Sequence, residues 1–258
     1  IISRPLRPNF WRPQTDNDRL GAMTHIYQAV WKQAGTSTKL SHFSWNDDHD
    51  QVISVNDMHK LPEAGSRINM QYLCYATGDI RIEYSFIPGK DLPDIPRVGL
   101  QMGVSAALDQ MTWFGRGPRE SYSDRKSSVP IGVYEADVLD NYMTYIRPQE
   151  SSNKTDVRWM ILKGDGVGLL VSAEDPINMS VWPYTMENID RAEHTPDLEK
   201  SDHLVFNIDK LQMGLGGDDS WSSNSRPHEP FRIKPRLYRY TFRIRAIGLD
   251  ASEPGEHL

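Results

Sequence analysis

A single cysteine, Cys74, stands among 258 residues, so no internal disulfide can form and the fold must be held by its core. Cys74 lies in an apolar and aromatic run and reads as a core thiol. Basic excess is also missing. The 29 Lys and Arg face 35 Asp and Glu, giving a net charge of −6 and a pI near 5.8. A nucleic-acid surface needs the opposite sign. No apolar run approaches a membrane span in length, and Ile1-Ile-Ser-Arg-Pro-Leu-Arg-Pro8 is not a signal peptide. Neither nucleic acid nor membrane is therefore expected as a partner. Zinc-spaced Cys or His pairs, a phosphate-cradling glycine loop and a Gly-x-Ser-x-Gly elbow are absent. The eight histidines are scattered, and a lone one such as His194 reads as a hydrogen-bonder rather than a base. Asp47, Asp48, His49 and Asp50 read as a solvated acidic tip rather than a metal site. The chain offers no metal-ligand set and no evident catalytic pair.

What the sequence does contain is a succession of short alternating runs broken by turn residues. Strands are expected at 51–58, 68–76, 80–87, 98–104, 111–114, 157–162, 168–172, 179–183, 203–212, 231–233 and 237–246. Ala76-Thr-Gly-Asp79, Gly115-Arg-Gly-Pro118 and Lys163-Gly-Asp-Gly166 supply turns between them. Residues 1–18, with prolines at 5, 8 and 13, read as extended or irregular. One main helix is expected over 22–34, with Ile26, Val30, Trp31 and Ala34 on one face and Gly35 past its end. A short helix is expected over 187–193. Many strands with few helices predict an all-β antiparallel sandwich, and residues 1–258 read as one domain.

Four segments carry more polar specificity than turns require. In Met213-Gly-Leu-Gly-Gly-Asp-Asp-Ser-Trp221, Gly214, Gly216 and Gly217 permit positive φ and close backbone approach. Asp218, Asp219 and Ser220 can stiffen the turn by bonding backbone N–H groups. Trp221 then either offers an indole face to a ligand or closes the end of a core. In Arg12-Pro-Gln-Thr-Asp-Asn-Asp18 the acids and amide can bind hydroxyls or a cation, or cap the helix that follows. Trp113-Phe-Gly-Arg-Gly-Pro-Arg-Glu-Ser-Tyr-Ser-Asp-Arg125 reads first as an Arg–carboxylate network bracing a long loop. In the polar stretch 145–159, Gln149, Glu150 and Asn153 suit sugar hydroxyls or loop backbone equally.

Together, in this order, these segments resemble the C-terminal domain, or small chain, of large bacterial β-galactosidases of glycoside hydrolase family two. The resemblance runs from about Leu6 to Ala246. Glu120-Ser-Tyr122 and Glu150-Ser-Ser-Asn153 depart from the usual Glu-Asn-Tyr and Glu-Asn-Gly-Asn. It implies a galactose-mutarotase-like antiparallel β-supersandwich packed on a (β/α)₈ barrel that carries both catalytic glutamates. It makes Trp221 the residue that stacks on sugar in the leaving-group subsite, on the loop with Asp218, Asp219 and Ser220. The loop around Asp16, Asn17, Asp18 and Gly21 is implied to lie near the same site. Relatives carry further strands before the arginine–proline motif, so the chain is expected to be part of a larger polypeptide. That larger polypeptide would supply the partners, bind a galactoside and hold any Mg or Na ions mainly elsewhere. A homo-oligomer is compatible with the resemblance, and so is either the bacterial cytoplasm or the periplasm.

Retaining hydrolysis needs two carboxyl groups about 5 Å apart. Asp218 and Asp219 are adjacent in sequence, which points their side chains apart, so the chain by itself is expected to be inactive. Two other readings stand beside this one: a stand-alone carbohydrate-binding module, and a mutarotase-like sugar epimerase needing an acid and a base at one ring. A domain made to dock on a barrel should also show an exposed apolar patch and an open strand edge.

Overall fold

The computed structural model describes residues 1–48 and 51–248. The elements run β1 (Ile2–Asn9), α1 (Asp16–Leu20), α2 (Thr24–Tyr27), α3 (Ala29–Thr36), β2 (Lys39–Asp48), β3 (Val52–Leu61), β4 (Ser66–Tyr75), β5 (Asp79–Ile87) and β6 (Arg97–Ser105). They continue with β7 (Gln110–Arg116), β8 (Ile131–Asp137), α4 (Val138–Asn141), β9 (Lys154–Gly164), β10 (Val167–Trp182), α5 (Met186–Arg191), β11 (His203–Gln212) and β12 (Tyr238–Gly248). Every strand pairing is antiparallel. The expected all-β antiparallel class is what the chain adopts. The strands hydrogen-bond as one continuous sheet in the order β1-β6-β11-β10-β12-β5-β4-β3-β2, with β9, β7 and β8 branching from β10.

The branch point explains one difference from the sequence reading. Runs expected as two strands, 168–172 and 179–183, belong to a single strand, β10. Its first half pairs β12, its second half pairs β11, and its pairing with β9 shifts register between Ser172 and Ile177. Pro176 lies in that gap, where a residue without an N–H donor is tolerated. The stretch 231–233 is not a strand: Glu229–Phe231 is a 3₁₀ turn, and Ile233 makes only an isolated bridge to Ile95.

The expected main helix is broken. α2 and α3 meet at Gln28, whose φ of −121° and ψ of 14° are not helical, and Met23 before them is left-handed. Thr24 is pulled inward by Asp18, to which its hydroxyl donates at 3.3 Å, so the first turn cannot continue in line with the second. Ile26 consequently leaves the apolar face and is exposed, whereas Trp31 and Ala34 are fully buried. Trp31 packs between Phe10 and Phe86, at centroid distances of 5.5 and 5.9 Å. Gly35 lies within the last turn of α3, not beyond it.

The interior strands β6 and β11 decide where function can be built. Their alternate residues Val98, Leu100, Met102, Val104 and Leu204, Phe206, Ile208 enter the apolar core. The intervening residues Arg97, Gln101, Asn207 and Asp209 face the other way and are also buried. Such a face is stable only if its polar groups find partners. The polar motifs of the sequence supply some of them, whereas neither carboxylate oxygen of Asp209 accepts a hydrogen bond among the described residues.

Candidate functional site

The buried polar face begins with Arg97, which donates to Glu150 at 2.9 Å and to Asn207 at 3.1 Å and lies 3.4 Å from Asp209. Gln101 and Asn207 bond each other at 2.9 Å, and Asn207 donates to Ser180 at 3.1 Å. Burial pushes the Asp209 carboxyl up to about 7 against the opposing pull of Arg97, and Glu150 is also raised by burial. Trp182 donates its indole N–H to the Ser151 carbonyl at 3.0 Å, with Arg97 over its ring at 5.4 Å. Segment 145–159 therefore acts as loop scaffolding. Asn153 donates to the Ser121 carbonyl at 2.8 Å, and Lys154 to the Pro118 carbonyl at 2.7 Å. Desolvation lowers Lys154 to about 8. The network expected for 113–125 is present: Arg116 and Lys126 pair with Asp156 at 2.5 and 3.2 Å, and Glu120 with Arg125 and Tyr145.

The glycine-rich loop after β11 is mounted at the rim of this face. Of the two freedoms that glycine permits, Gly214, Gly216 and Gly217 do not use positive φ, which is found at Gly65, Gly78 and Gly166. Close approach requires glycine here instead. A Cβ at Gly217 would stand 2.1 Å from the Asn224 carbonyl oxygen and 2.3 Å from that of Arg226, and one at Gly216 would stand 2.0 Å from Asn17 Nδ2.

Arg12 reaches the loop from the opposite end of the chain. Its guanidinium donates to the carbonyls of Met213 and Gly214, both at 3.0 Å, and forks onto both carboxylate oxygens of Asp18, also at 3.0 Å. Burial opposes the Arg12 charge, and Asp18 more than compensates, so its pKa is raised. Asp18 also completes a capping box with Thr15 at the start of α1, the turn that contains it, and not of the helix that follows. On the other side, Asp124 accepts from the amides of Leu215 and Gly216 at 2.7 and 3.2 Å.

Beyond these anchors Asp218 and Asp219 diverge. Asp219 accepts from the amides of Trp221 and Ser222 at 3.2 and 3.0 Å and from the Ser222 hydroxyl at 2.6 Å. Asp218 pairs with His228 at 2.9 Å, and Ser220 is exposed. The Trp221 side chain ends up 80% exposed, so it does not close a core. The two predicted loops meet directly: a Cβ at Gly21 would lie 2.2 Å from the Ser222 carbonyl oxygen, and Ser225 Oγ donates to the Asn17 carbonyl at 3.4 Å. Asp16 faces away, its amide and carboxylate held by Gln149 at 3.1 and 3.2 Å. Farther along, Arg226 stacks over Tyr27 at 4.7 Å, beside a cleft of about 350 Å³ that also touches Gln28, Leu92, Met213 and Arg232.

The sequence reading placed Trp221, Asp219, Asn17 and Gly21 together but missed the anchoring roles of Arg12, Asp124, Ser222 and Ser225. Arg12 and Asp124 were inside segments already singled out; nothing in either segment shows that their partner is backbone some 90 or 200 residues away. Among the described residues no group of three or more His, Cys, Asp or Glu could hold a metal ion. His49 and Asp50 of the acidic tip, and the side chain of Asp48, lie outside the described residues.

Comparison with known proteins gives this geometry its context. The family described as the β-galactosidase small chain matches residues 1–244. The chain belongs to the β-galactosidase small-chain family. It is 33% identical over 248 residues to a β-galactosidase of Priestia megaterium, covering 96% of this small chain and 24% of the relative. A Vibrio cholerae β-galactosidase is 32% identical over 257 residues, with 95% and 24% covered. A third, from Lactobacillus delbrueckii, is 34% identical over 220 residues, with 84% and 21% covered. The small chain thus spans between a fifth and a quarter of the length of these relatives. Among solved structures, a galactose 1-epimerase from Lactobacillus acidophilus superposes at a TM-score of 0.47 with 7% identity, covering 80% of this chain and 66% of that one. An α-galactosidase from Geobacillus stearothermophilus gives 0.45 and 8%, covering 82% and 28%. Likeness at that level does not speak to chemistry.

Proposed function

We propose that residues 1–258 form one domain of a longer β-galactosidase, where they present Trp221 to the aglycone side of a galactoside site whose reacting carboxyl groups lie elsewhere in the polypeptide. The observation that carries this reading is the exposure of Trp221 on a loop tied to the fold by ionic and backbone bonds. A flexible loop would spend sugar-stacking energy on ordering itself; a braced one does not. Stacking on one indole contributes about 1–2 kcal/mol, by analogy with other contacts to aromatic faces. That suits a leaving-group platform better than a stand-alone binding module. Asp218 and Asp219 are engaged with different partners, and Glu150 and Asp209 are fully buried, which argues against hydrolysis or epimerisation by this chain alone.

The test has two arms. The isolated chain should show no hydrolysis of a chromogenic galactoside and no measurable lactose binding by calorimetry. In the longer enzyme, Trp221→Ala should raise KM for galactosides with bulky aglycones. Turnover by the chain alone, or tight lactose binding lost in Trp221→Ala, would overturn the reading in favour of a complete enzyme or a binding module.

A further inference from the structure

We propose that Asp124 is a positioning residue for Trp221, acting through the backbone between Gly214 and Gly216. The proposal rests on the reading of Trp221 as a sugar platform and adds to it the group that aims the indole. Asp124 belongs to the loop between β7 and β8, 91 residues from Leu215. Its Oδ2 takes the amides of both Leu215 and Gly216, while Arg12 takes the carbonyls just before them, those of Met213 and Gly214. Three of the residues from 214 to 217 are glycines, with no side chain to pack or choose a rotamer. The path of this stretch is therefore imposed from outside, by whatever binds its peptide groups.

Two charged side chains of opposite sign do most of that, beside the Phe231 carbonyl, which accepts from the Gly214 amide at 2.9 Å, and bonds to charged groups are the stronger ones. Arg12 is already committed to Asp18 and to the helical turns behind it. Asp124 is the clamp nearer the indole in sequence. Its fit is close, since a Cβ on Gly214 would lie 2.5 Å from Asp124 Oδ2. From Gly216 onward the loop closes on itself: the Asp218 amide donates to the Asn224 carbonyl at 2.8 Å, and Asp219 caps Trp221 and Ser222. A change of path at residues 215–216 is thereby passed to Trp221, opposed by the contacts of Ser222 and Ser225 with the loop at Asn17 and Gly21.

The test uses the ¹⁵N-labelled chain, reading the indole N–H order parameters of its seven tryptophans, with Trp221→Phe to assign the resonance. Asp124→Ala should lower the Trp221 order parameter clearly below its wild-type value while the other indoles keep theirs. Asp124→Asn retains an oxygen acceptor and should restore most of the order. Gly214→Ala, which crowds the carboxylate without removing it, should loosen Trp221 as Asp124→Ala does. An unchanged Trp221 in both Asp124→Ala and Gly214→Ala overturns the proposal, as does simultaneous loosening of all the indoles.

In the longer enzyme, Asp124→Ala should raise KM roughly three- to tenfold and add nothing further in a Trp221→Ala background. Additive effects would overturn the positioning role. If Trp221 loosens as expected but Trp221→Ala leaves KM unchanged, the sugar-platform reading fails while the clamp stands.

Discussion

Two tryptophans stand out from this molecule, Trp221 at 80% exposure and Trp45 at 63%, and they stand out for different reasons. Trp221 sits on a loop whose peptide groups are taken by Arg12, Asp124 and Asp219. Trp45 lies on β2, the last strand of the sheet order, which among the described residues pairs with β3 alone. Register places it beside other apolar side chains. Trp45 opposes Val55 and Phe43 opposes Asp57, and an irregularity after Leu40 sets that residue opposite His59. Leu40, Phe43, Trp45 and Ile53 therefore share the face that farther in carries Tyr72, Ile82 and Tyr84. The patch is the apolar face of the sheet running out past its own cover. Exposure alone thus does not mark a site; the cost of the supporting structure does. Buried charges and forced glycines hold up Trp221, whereas Trp45 needs only its place on the last strand of the sheet among the described residues.

Breaking the support should cost far more than removing what it supports. Arg12→Ala leaves Asp18 buried without its partner and frees two loop carbonyls, and should destabilise the chain by about 3–5 kcal/mol in urea denaturation. Trp221→Ala should stay within about 0.5 kcal/mol of wild type. Comparable losses in the two variants would mean that the indole is structural after all. Gly217→Ala comes next. The nearest atoms it would meet are all backbone, so the loop itself must move, at a cost of about 1–3 kcal/mol by analogy with overpacking.

A pH test separates the buried face from the exposed loop. Asp209 is protonated more readily in the folded chain, at about 7, than at its ordinary value of 3.8. The folded state then binds more protons than the unfolded one between those values, so this group's contribution to stability is present at low pH and lost as pH rises through 7. Asp209→Asn removes that dependence. Its Tm relative to wild type should therefore be higher at pH 8 than at pH 5, whereas a flat difference across the range would place the Asp209 carboxyl in an ordinary environment.

The same contrast governs what the sequence could reveal. The interior strands β3 to β6, β11 and β12 carry strong alternation and were legible to within a few residues. The three that were not foreseen, β1, β2 and β8, are all terminal in the sheet. Edge strands bury less and tolerate prolines such as Pro5 and Pro8, so their pattern is weak. For the site, Trp221 and its neighbours could be picked out because glycines and acids cluster there. The anchoring could not, because what Arg12 and Asp124 hold in the loop is main chain, and a backbone partner leaves no complementary residue to find.

The smallest effect on stability is expected at the open edge, and there the comparison becomes sharpest. Phe43→Ser and Trp45→Ser replace exposed side chains on β2 and should each change stability by about 0.5 kcal/mol or less. Association should respond instead, because an apolar edge strand is a template for pairing with another chain. In sedimentation velocity the wild-type chain should sediment faster as concentration rises, and the double variant should lose most of that dependence. Trp221→Ala should keep it, since its loop is not a strand of the sheet. If Trp221→Ala abolishes association and the β2 variant does not, then the braced indole is the sticky surface and the sheet edge is inert, which reverses the assignment of roles drawn from exposure and support.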